Sequence, residues 1–245
     1  MKISVHKILA STAVVAALAL PQLAFGQTGS LSMSSYAYPS ALSFNLTDTS
    51  PVLNLGTVGA GGFNASFNAN GALPPAPTSF VSYCVDLGQY FSFGSPFSVT
   101  ATDPASMSAI GGVRTSVLNR LYTQHFAAAD TRVESAAFQL AVWEILREDA
   151  TTAFGANALG QGSFRVTAAT SGTTLDSDAI TMANSWLNTL SGASGGYTLT
   201  VLASSTNQDQ MMATPVPEPE TYMMLLAGLG LMGFVARRRQ RGVAA

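Results

Sequence analysis

Cysteine and charged side chains are scarce in this chain. One of its 245 residues is a cysteine, and only 10% are charged. A single cysteine excludes an internal disulfide framework, and an odd cysteine in an exported protein needs an explanation of its own. Basic residues cluster only at the C-terminal end, so the sequence does not indicate nucleic-acid binding. No metal-ligand cluster, phosphate-binding loop or cofactor motif is visible, and we expect neither a metal nor a cofactor.

Lysine is absent from the body of the chain. Both lysines, Lys2 and Lys7, lie in the N-terminal leader, and the basic residues between positions 27 and 219 are five arginines. A protein with few charges can lack lysine by chance. The alternative hypothesis is that a protein with an exposed electrophile and no lysine side chains cannot cross-link to its own copies through them.

The first 26 residues have the features of a secretory signal peptide. Lys2 and Lys7 form the positive region, residues 8–20 are apolar, and Ala24-Phe25-Gly26 supplies a small-residue cleavage site. The apolar run is too short to favour an uncleaved anchor. We therefore expect export through the Sec pathway, and a mature body long enough for one domain of ordinary size.

The C-terminal residues 213–245 have the features of a second targeting segment. Pro217, Glu218 and Pro219 precede an apolar run, Thr221–Ala236, and a cluster of arginines follows it. At ~1.5 Å per residue the run reaches ~24 Å as a helix, which makes a short and marginal transmembrane segment. The arginines would keep their end in the cytoplasm and leave the body outside.

This arrangement resembles the PEP-CTERM sorting signal of Gram-negative, exopolysaccharide-producing bacteria. The motif, the apolar span and the arginine cluster occur in that signal's order. The resemblance implies that an exosortase cuts near Pro217–Pro219. It also implies a transient inner-membrane intermediate, after which the body is released or transferred to the cell surface.

The mature body predicts a single α+β domain. Residues 27–77 are rich in Ser, Asn, Gly and Pro, which favours short strands or an extended lead-in. Residues 78–212 form the main part, beginning with two strand-like runs, 80–87 and 90–99, that predict a half-buried hairpin. Helices are expected over 103–126, 135–148 and 176–190, a loop over 151–174, and a last strand over 197–202. Antiparallel sandwich- or barrel-like strands would thus pack with about three helices.

The middle helix has an unusual composition. Thr131 and Glu134 have the spacing of a capping box, in which hydroxyl and carboxylate satisfy backbone N–H groups at a helix start. From Ser135 to Glu148 the helix is apolar on nearly every side, as buried helices are. Gln139 lies in its middle, where an amide is costly unless its donors and acceptor are paired. Gln139 is therefore either fully hydrogen-bonded or used for chemistry, with Cys84 as a candidate partner.

Two segments, Ser82–Leu87 and Phe138–Glu144, resemble the thioester domains of bacterial surface adhesins. In that family a cysteine after an aromatic residue pairs with the glutamine of an aromatic/apolar-Gln-x-Ala-Val/Ile-Trp motif. The motif matches here, and the likeness extends loosely over residues 80–212. It implies a thioester between Cys84 and Gln139, with Tyr83 before the cysteine. Such domains are best known from Gram-positive bacteria, so the sorting signal is a departure from the family.

The proposed bond has a physical logic of its own. The Cys84 thiolate would attack the Gln139 amide carbon and expel ammonia, helped by positioning that is worth roughly 7–11 kcal/mol. Phe138 and Trp143 would keep water away from the product. A base must take the thiol proton, and either His125 or Asp86 is a candidate that no spacing rule selects.

Three functions remain open from the sequence. The first is a surface or extracellular-matrix protein, not an enzyme, whose thioester attaches to an amine or hydroxyl on a protein or polysaccharide. The second is a structural exopolysaccharide or biofilm-matrix protein with a chemically silent Cys84. The third is a cysteine hydrolase that pairs Cys84 with His125.

Overall fold

The fold is described from a computed structural model. It describes residues 23–49, 52–71, 78–148, 155–169, 174–216, 224 and 226–233. Most of the predicted signal peptide lies outside these residues, as do Pro217, Glu218 and Pro219 of the sorting motif.

Nine strands and three α-helices make up the described body of the chain. The strands are β1 (Thr28–Tyr36), β2 (Leu42–Thr49), β3 (Val52–Ala60), β4 (Phe63–Ala69), β5 (Thr78–Cys84), β6 (Phe97–Thr102), β7 (Phe164–Ala168), β8 (Tyr197–Ala203) and β9 (Gln210–Pro215). The helices are α1 (Gly111–His125), α2 (Arg132–Arg147) and α3 (Thr174–Thr189). Single turns of 3₁₀-helix lie at Pro104–Ser106, Phe126–Ala128 and Ala158–Gly160.

Six strands close into an antiparallel barrel. Their order is β1-β4-β5-β9-β8-β6, and β1 closes the circle by pairing with both β4 and β6. The other three strands form a separate antiparallel sheet in the order β3-β2-β7. Strand β2 shows why such a sheet forms, because its Leu42, Phe44 and Leu46 are buried while the residues between them are not. The α+β single-domain prediction is confirmed.

Helix α2 is the centre of the molecule. Every residue from Ser135 to Leu146 is buried. The helix contacts α1, α3, strand β5 of the barrel and all three strands of the second sheet. Its predicted capping box is confirmed, since the Thr131 hydroxyl accepts from the Glu134 N–H and the Glu134 carboxylate accepts from the Thr131 N–H. A helix surrounded in this way needs apolar side chains on all its faces.

The predicted hairpin of residues 80–99 is wrong. Strand β5 pairs with β4 and β9, whereas β6 pairs with β1 and β8, so the two runs are not neighbours. The segment between them is held by partners distant in sequence: the Val85 N–H donates to the Asp209 carbonyl, and the Gly94 N–H donates to the Met33 carbonyl. The segment thus connects two strands that lie at different positions in the barrel.

The other predicted elements are partly right. Helix α3 and strand β8 lie where expected, but α1 begins at Gly111 because Met107 before it is extended. The predicted loop over 151–174 contains strand β7, and strand β9 was not predicted. Residues 226–233 within the C-terminal apolar run are helical and exposed. Among the described residues, no helix combines the length and the apolar character needed to cross a bilayer.

Candidate functional site

Gln139 and Cys84 are joined by two hydrogen bonds in the core. Gln139 Oε1 accepts from the Cys84 backbone N–H at 2.9 Å, and Gln139 Nε2 donates to the Cys84 carbonyl at 2.9 Å. Gln139 is fully buried and Cys84 is 1% exposed. The amide thus pairs with the end of β5 as a neighbouring strand would. The structure brings together the two residues that the sequence selects as a reactive pair.

The Cys84 sulfur is held as a thiol. Its Sγ donates to the Asp86 carbonyl at 2.9 Å. Burial raises the pKa of the Cys84 thiol far above its ordinary value and outweighs the Trp143 side chain and the Asp86 backbone, which both lower it. The Trp143 indole N–H has no hydrogen-bond acceptor in the described structure. A donor without an acceptor beside the sulfur is suited to the negative charge of a thiolate.

Aromatic side chains cluster around Phe138, the residue before Gln139. The Phe138 ring packs against the rings of Tyr83, Tyr122 and Phe126, with centroids 4.6, 4.9 and 5.8 Å away. The Tyr83 hydroxyl lies 3.2 Å from Ser135 Oγ. Phe138 is fully buried, as Tyr83 is. This aromatic cluster thus packs helix α2, which carries Gln139, against strand β5, which carries Cys84.

His125 is placed elsewhere. Its ring stacks on Trp186, with centroids 4.7 Å apart and planes 14° from parallel. No hydrogen bond joins it to Cys84 in the described part of the chain, and its buried Nε2 has no partner there. The groups that act on the Cys84 thiol are Trp143, Asp86 and Asp209. The geometry therefore does not favour a Cys84–His125 dyad.

The free energy of unfolding is expected to depend on the titration of His125. Burial lowers the pKa of His125, so the unfolded chain takes up this proton first as the pH falls through about 6.5. Stability should therefore fall below that pH. We expect the wild-type protein to lose more stability than His125→Gln between pH 7.5 and 5.5, measured by urea denaturation. A constant difference between the two proteins across this range would contradict the prediction.

Asp86 and Asp209 lie together beside the cysteine. Asp86 Oδ1 accepts from the Gly88 N–H at 2.7 Å, and Asp209 Oδ1 accepts from the Ser204 N–H at 2.7 Å. Burial raises the pKa of Asp209, and the nearby Asp86 charge raises it further, while the Ser204 bond lowers it. Asp86 was a candidate from the sequence. Asp209 was missed, because its approach depends on the pairing of β5 with β9.

A cleft opens next to these carboxylates. Its volume is about 130 Å³, and its walls include Asp86, Trp143, Arg147 and Asp209. Val85 and Leu87, on either side of Asp86, also line it. The cleft lies beside the pair, because Val85 follows Cys84 in the chain and Trp143 acts on the Cys84 thiol. Cys84 and Gln139 themselves do not line it.

Gln210 is a second buried amide near the cysteine. It lies directly opposite Cys84 in the β5–β9 register and is fully buried. Its Oε1 accepts from Ser82 Oγ at 3.1 Å, and its Nε2 donates to Gln208 Oε1 at 3.1 Å. The Gln210 amide is thus bonded to other side chains, whereas the Gln139 amide is bonded to Cys84 itself. The sequence contains no local signal for Gln210.

The C-terminal tail and the folded body of the chain are similar to different known proteins. Residues 215–239 match the family model of the PEP-CTERM protein-sorting motif. The chain carries a PEP-CTERM sorting motif. It is accordingly an exported surface protein, and the motif implies processing by an exosortase. No curated protein matches the sequence significantly.

Two solved structures are similar to the folded body. The N-terminal domain of the Streptococcus pyogenes pilus tip adhesin Cpa is 15% identical, with a TM-score of 0.39, and the match covers 76% of this chain and 99% of that one. The N-terminal thioester domain of a surface protein from Clostridium perfringens is 13% identical, with a TM-score of 0.39, over 71% of this chain and 99% of that one.

Proposed function

We propose that this exported surface protein attaches covalently to a partner through a thioester between Cys84 and Gln139. The observation that carries the proposal is the pair of hydrogen bonds that holds the Gln139 amide on the Cys84 backbone. In forming the thioester, Cys84 Sγ bonds to the Gln139 amide carbon and the C–N bond breaks. The amide nitrogen leaves as ammonia and takes up the thiol proton.

The hydrogen bond to Gln139 Oε1 supports this chemistry. Attack on the amide carbon puts negative charge on that oxygen, and the Cys84 N–H already donates to it at 2.9 Å. A fixed donor aimed at the oxygen that gains charge lowers the barrier to acyl transfer. The Trp143 N–H favours the thiolate in the same way. Gln139 Nε2 leaves as ammonia, so its hydrogen bond to the Cys84 carbonyl is lost. The hydrogen bond from the Cys84 N–H to Gln139 Oε1 can remain in the thioester.

The cleft beside Cys84 favours an amine as the partner's nucleophile. Two carboxylates, Asp86 and Asp209, face one guanidinium, Arg147, in its wall, and this excess of negative charge attracts a protonated amine. A carboxylate whose pKa is raised, as that of Asp209 is, is a better proton acceptor for that amine. The amine nitrogen then bonds to the Gln139 acyl carbon, the C–S bond breaks, and the thiol is restored. A hydroxyl group would give an ester by the same route.

Labelling with a fluorescent primary amine tests this function. Wild-type protein is expected to give one covalently labelled band on a denaturing gel, whereas Cys84→Ala should give none. Asp209→Asn should slow labelling by about threefold or more, because the cleft attracts the cation less strongly. Asp178→Asn, an exposed change on α3, serves as the matched control and should label like the wild type. Equal labelling of wild type and Cys84→Ala would refute the proposal.

A structural matrix protein with a silent cysteine is the second candidate. The observation that favours it is the bond from the Cys84 thiol to the Asp86 carbonyl, together with the raised pKa of that thiol. A buried thiol satisfied in this way behaves as a small apolar side chain. The two candidates differ in one readout. The protein is unfolded in mild acid without a nucleophile, and its free thiol is then measured with a thiol reagent. One free thiol is expected if Cys84 is silent, and none if Cys84 is held in a thioester.

A further inference from the structure

Two acidic side chains on α2 face a cavity on a different side of the helix from Gln139. Glu144 and Glu148 are one turn apart, and they line a cavity of about 260 Å³. Gly155, Ala158, Gln161 and Gly162 complete its walls. We call this cavity the Glu144–Glu148 pocket. It lies between the C-terminal end of α2 and the segment that leads into β7.

Glu144 has no partner for its charge. It is 1% exposed, and its Oε2 has no hydrogen-bond partner in the described structure. A carboxylate buried in this way is costly unless it is paired or coordinates a metal. An unsatisfied buried polar atom in a native fold calls for an ion or water that explains it.

Glu148 is fixed in place by the segment that leads into β7. Its Oε1 accepts from Ser163 Oγ at 3.0 Å and from the Phe164 N–H at 2.5 Å. No basic side chain pairs with either carboxylate among the described residues, where the ion pair joins Arg147 to Asp48. Arg114 donates to the Glu148 backbone carbonyl and not to its carboxylate. Within the described part of the chain, the pocket therefore holds two acidic groups without a basic side chain as counter-charge.

The backbone approaches these carboxylates closely. Gly162 has a φ of 75°, and a Cβ at this position would collide with the Glu148 carboxylate. The loop thus passes over the acidic groups at a distance that only glycine permits. Gln161 also lines the cavity, and its side-chain amide carries a further oxygen that could bind a cation.

We propose that the Glu144–Glu148 pocket binds a divalent cation of the Ca²⁺ class. The described residues of the cavity lining offer oxygen atoms and no thiol or imidazole, which suits Ca²⁺ and not Zn²⁺. The described residues contain no group of three or more His, Cys, Asp or Glu side chains arranged for a metal. The two carboxylates would therefore supply the charge, and Gln161 and water would supply the remaining ligands.

The cation would connect two elements that meet at this pocket. Glu144 and Glu148 belong to the last turn of α2 and its C-cap, while Gln161 and Gly162 precede β7. A bound ion would fix the end of the helix that carries Gln139 to the second sheet. Extracellular modules typically bind Ca²⁺ with a Kd of about 10⁻⁴–10⁻³ M, so an exported protein would acquire it after leaving the cell.

Thermal unfolding and terbium luminescence test the proposal. The purified exported protein is compared in EDTA and in CaCl₂ at about a hundredfold excess over Kd, where the Tm should rise by about 5 °C or more. Tb³⁺ should luminesce on tryptophan excitation, because Trp143 is adjacent to Glu144 in the chain, and Ca²⁺ should displace it.

Glu144→Gln keeps the shape of the side chain and removes its charge. It should unfold in EDTA at or above the wild-type Tm, yet lose both the Ca²⁺ shift and the Tb³⁺ signal. Asp178→Asn, which is exposed on α3, should keep both. The proposal is overturned if wild-type protein has the same Tm in EDTA and CaCl₂. It is also overturned if Glu144→Gln responds to Ca²⁺ as the wild type does.

Discussion

The intact mass of the purified exported protein is expected to lie one ammonia below the value calculated from its sequence. The loss follows from thioester formation between Cys84 and Gln139, whose amide is already held on the Cys84 backbone by two hydrogen bonds of 2.9 Å. Incubation with methylamine should then raise the mass by one methylamine. Mass spectrometry of the undigested protein measures both changes.

Two variants and a peptide map define the chemistry of that mass change. Cys84→Ala removes the nucleophile, so its mass should equal the sequence value and methylamine should not change it. Gln139→Glu removes the ammonia leaving group and should give the same result. Peptide mapping of the methylamine product should place the methylamide on Gln139. A methylamide on Gln210, which lies opposite Cys84 in the β5–β9 register, would show that the wrong glutamine has been assigned.

The largest loss of stability is expected from Arg147→Met. Arg147 Nε donates to Asp48 Oδ2 at 2.5 Å, and the Asp48 side chain is fully buried while that of Arg147 is 25% exposed. Removing the guanidinium leaves a buried carboxylate without this counter-charge, which costs about 3 kcal/mol or more. Urea denaturation should show this loss in the free energy of unfolding.

Two comparisons separate the ion pair from the bulk of the side chain. The double variant Asp48→Asn with Arg147→Met removes both charges and should recover at least half of the lost stability, because the buried carboxylate charge is removed together with the guanidinium. Arg120→Met, on α1, is the matched control and should change stability by about 0.5 kcal/mol or less. If Arg147→Met and Arg120→Met are equally stable, the Arg147–Asp48 pair does not stabilise the fold.

Local signals in the sequence were sufficient to predict helix α2, which carries Gln139. The Thr131–Glu134 capping box and the apolar run after it are read within one segment, and the structure has both. The burial of Gln139 followed from that run, since a helix buried all round buries its polar residue as well. The choice of Cys84 as its partner came from the family resemblance, and the structure places the two in contact.

The parts of the site that depend on strand pairing could not be predicted. Asp209 and Gln210 reach the neighbourhood of Cys84 because β9 pairs with β5, and β9 is separated from β5 by three helices. Its sequence, from Gln210 to Pro215, is short and carries no distinctive alternation. Strand β7 was missed for the same reason, since five residues in a Gly- and Thr-rich segment are a weak signal.

The end of the barrel limits where the exported domain can be separated from its tail. Strand β9 ends at Pro215, and the Val216 N–H still donates to the Gly196 carbonyl at 2.9 Å. The sorting motif begins at residue 215, so only residues 216–220 lie between the barrel and the apolar run. Five residues span at most about 18 Å when extended. A cut before Pro215 would remove part of strand β9, so processing that leaves the barrel whole must fall after this residue.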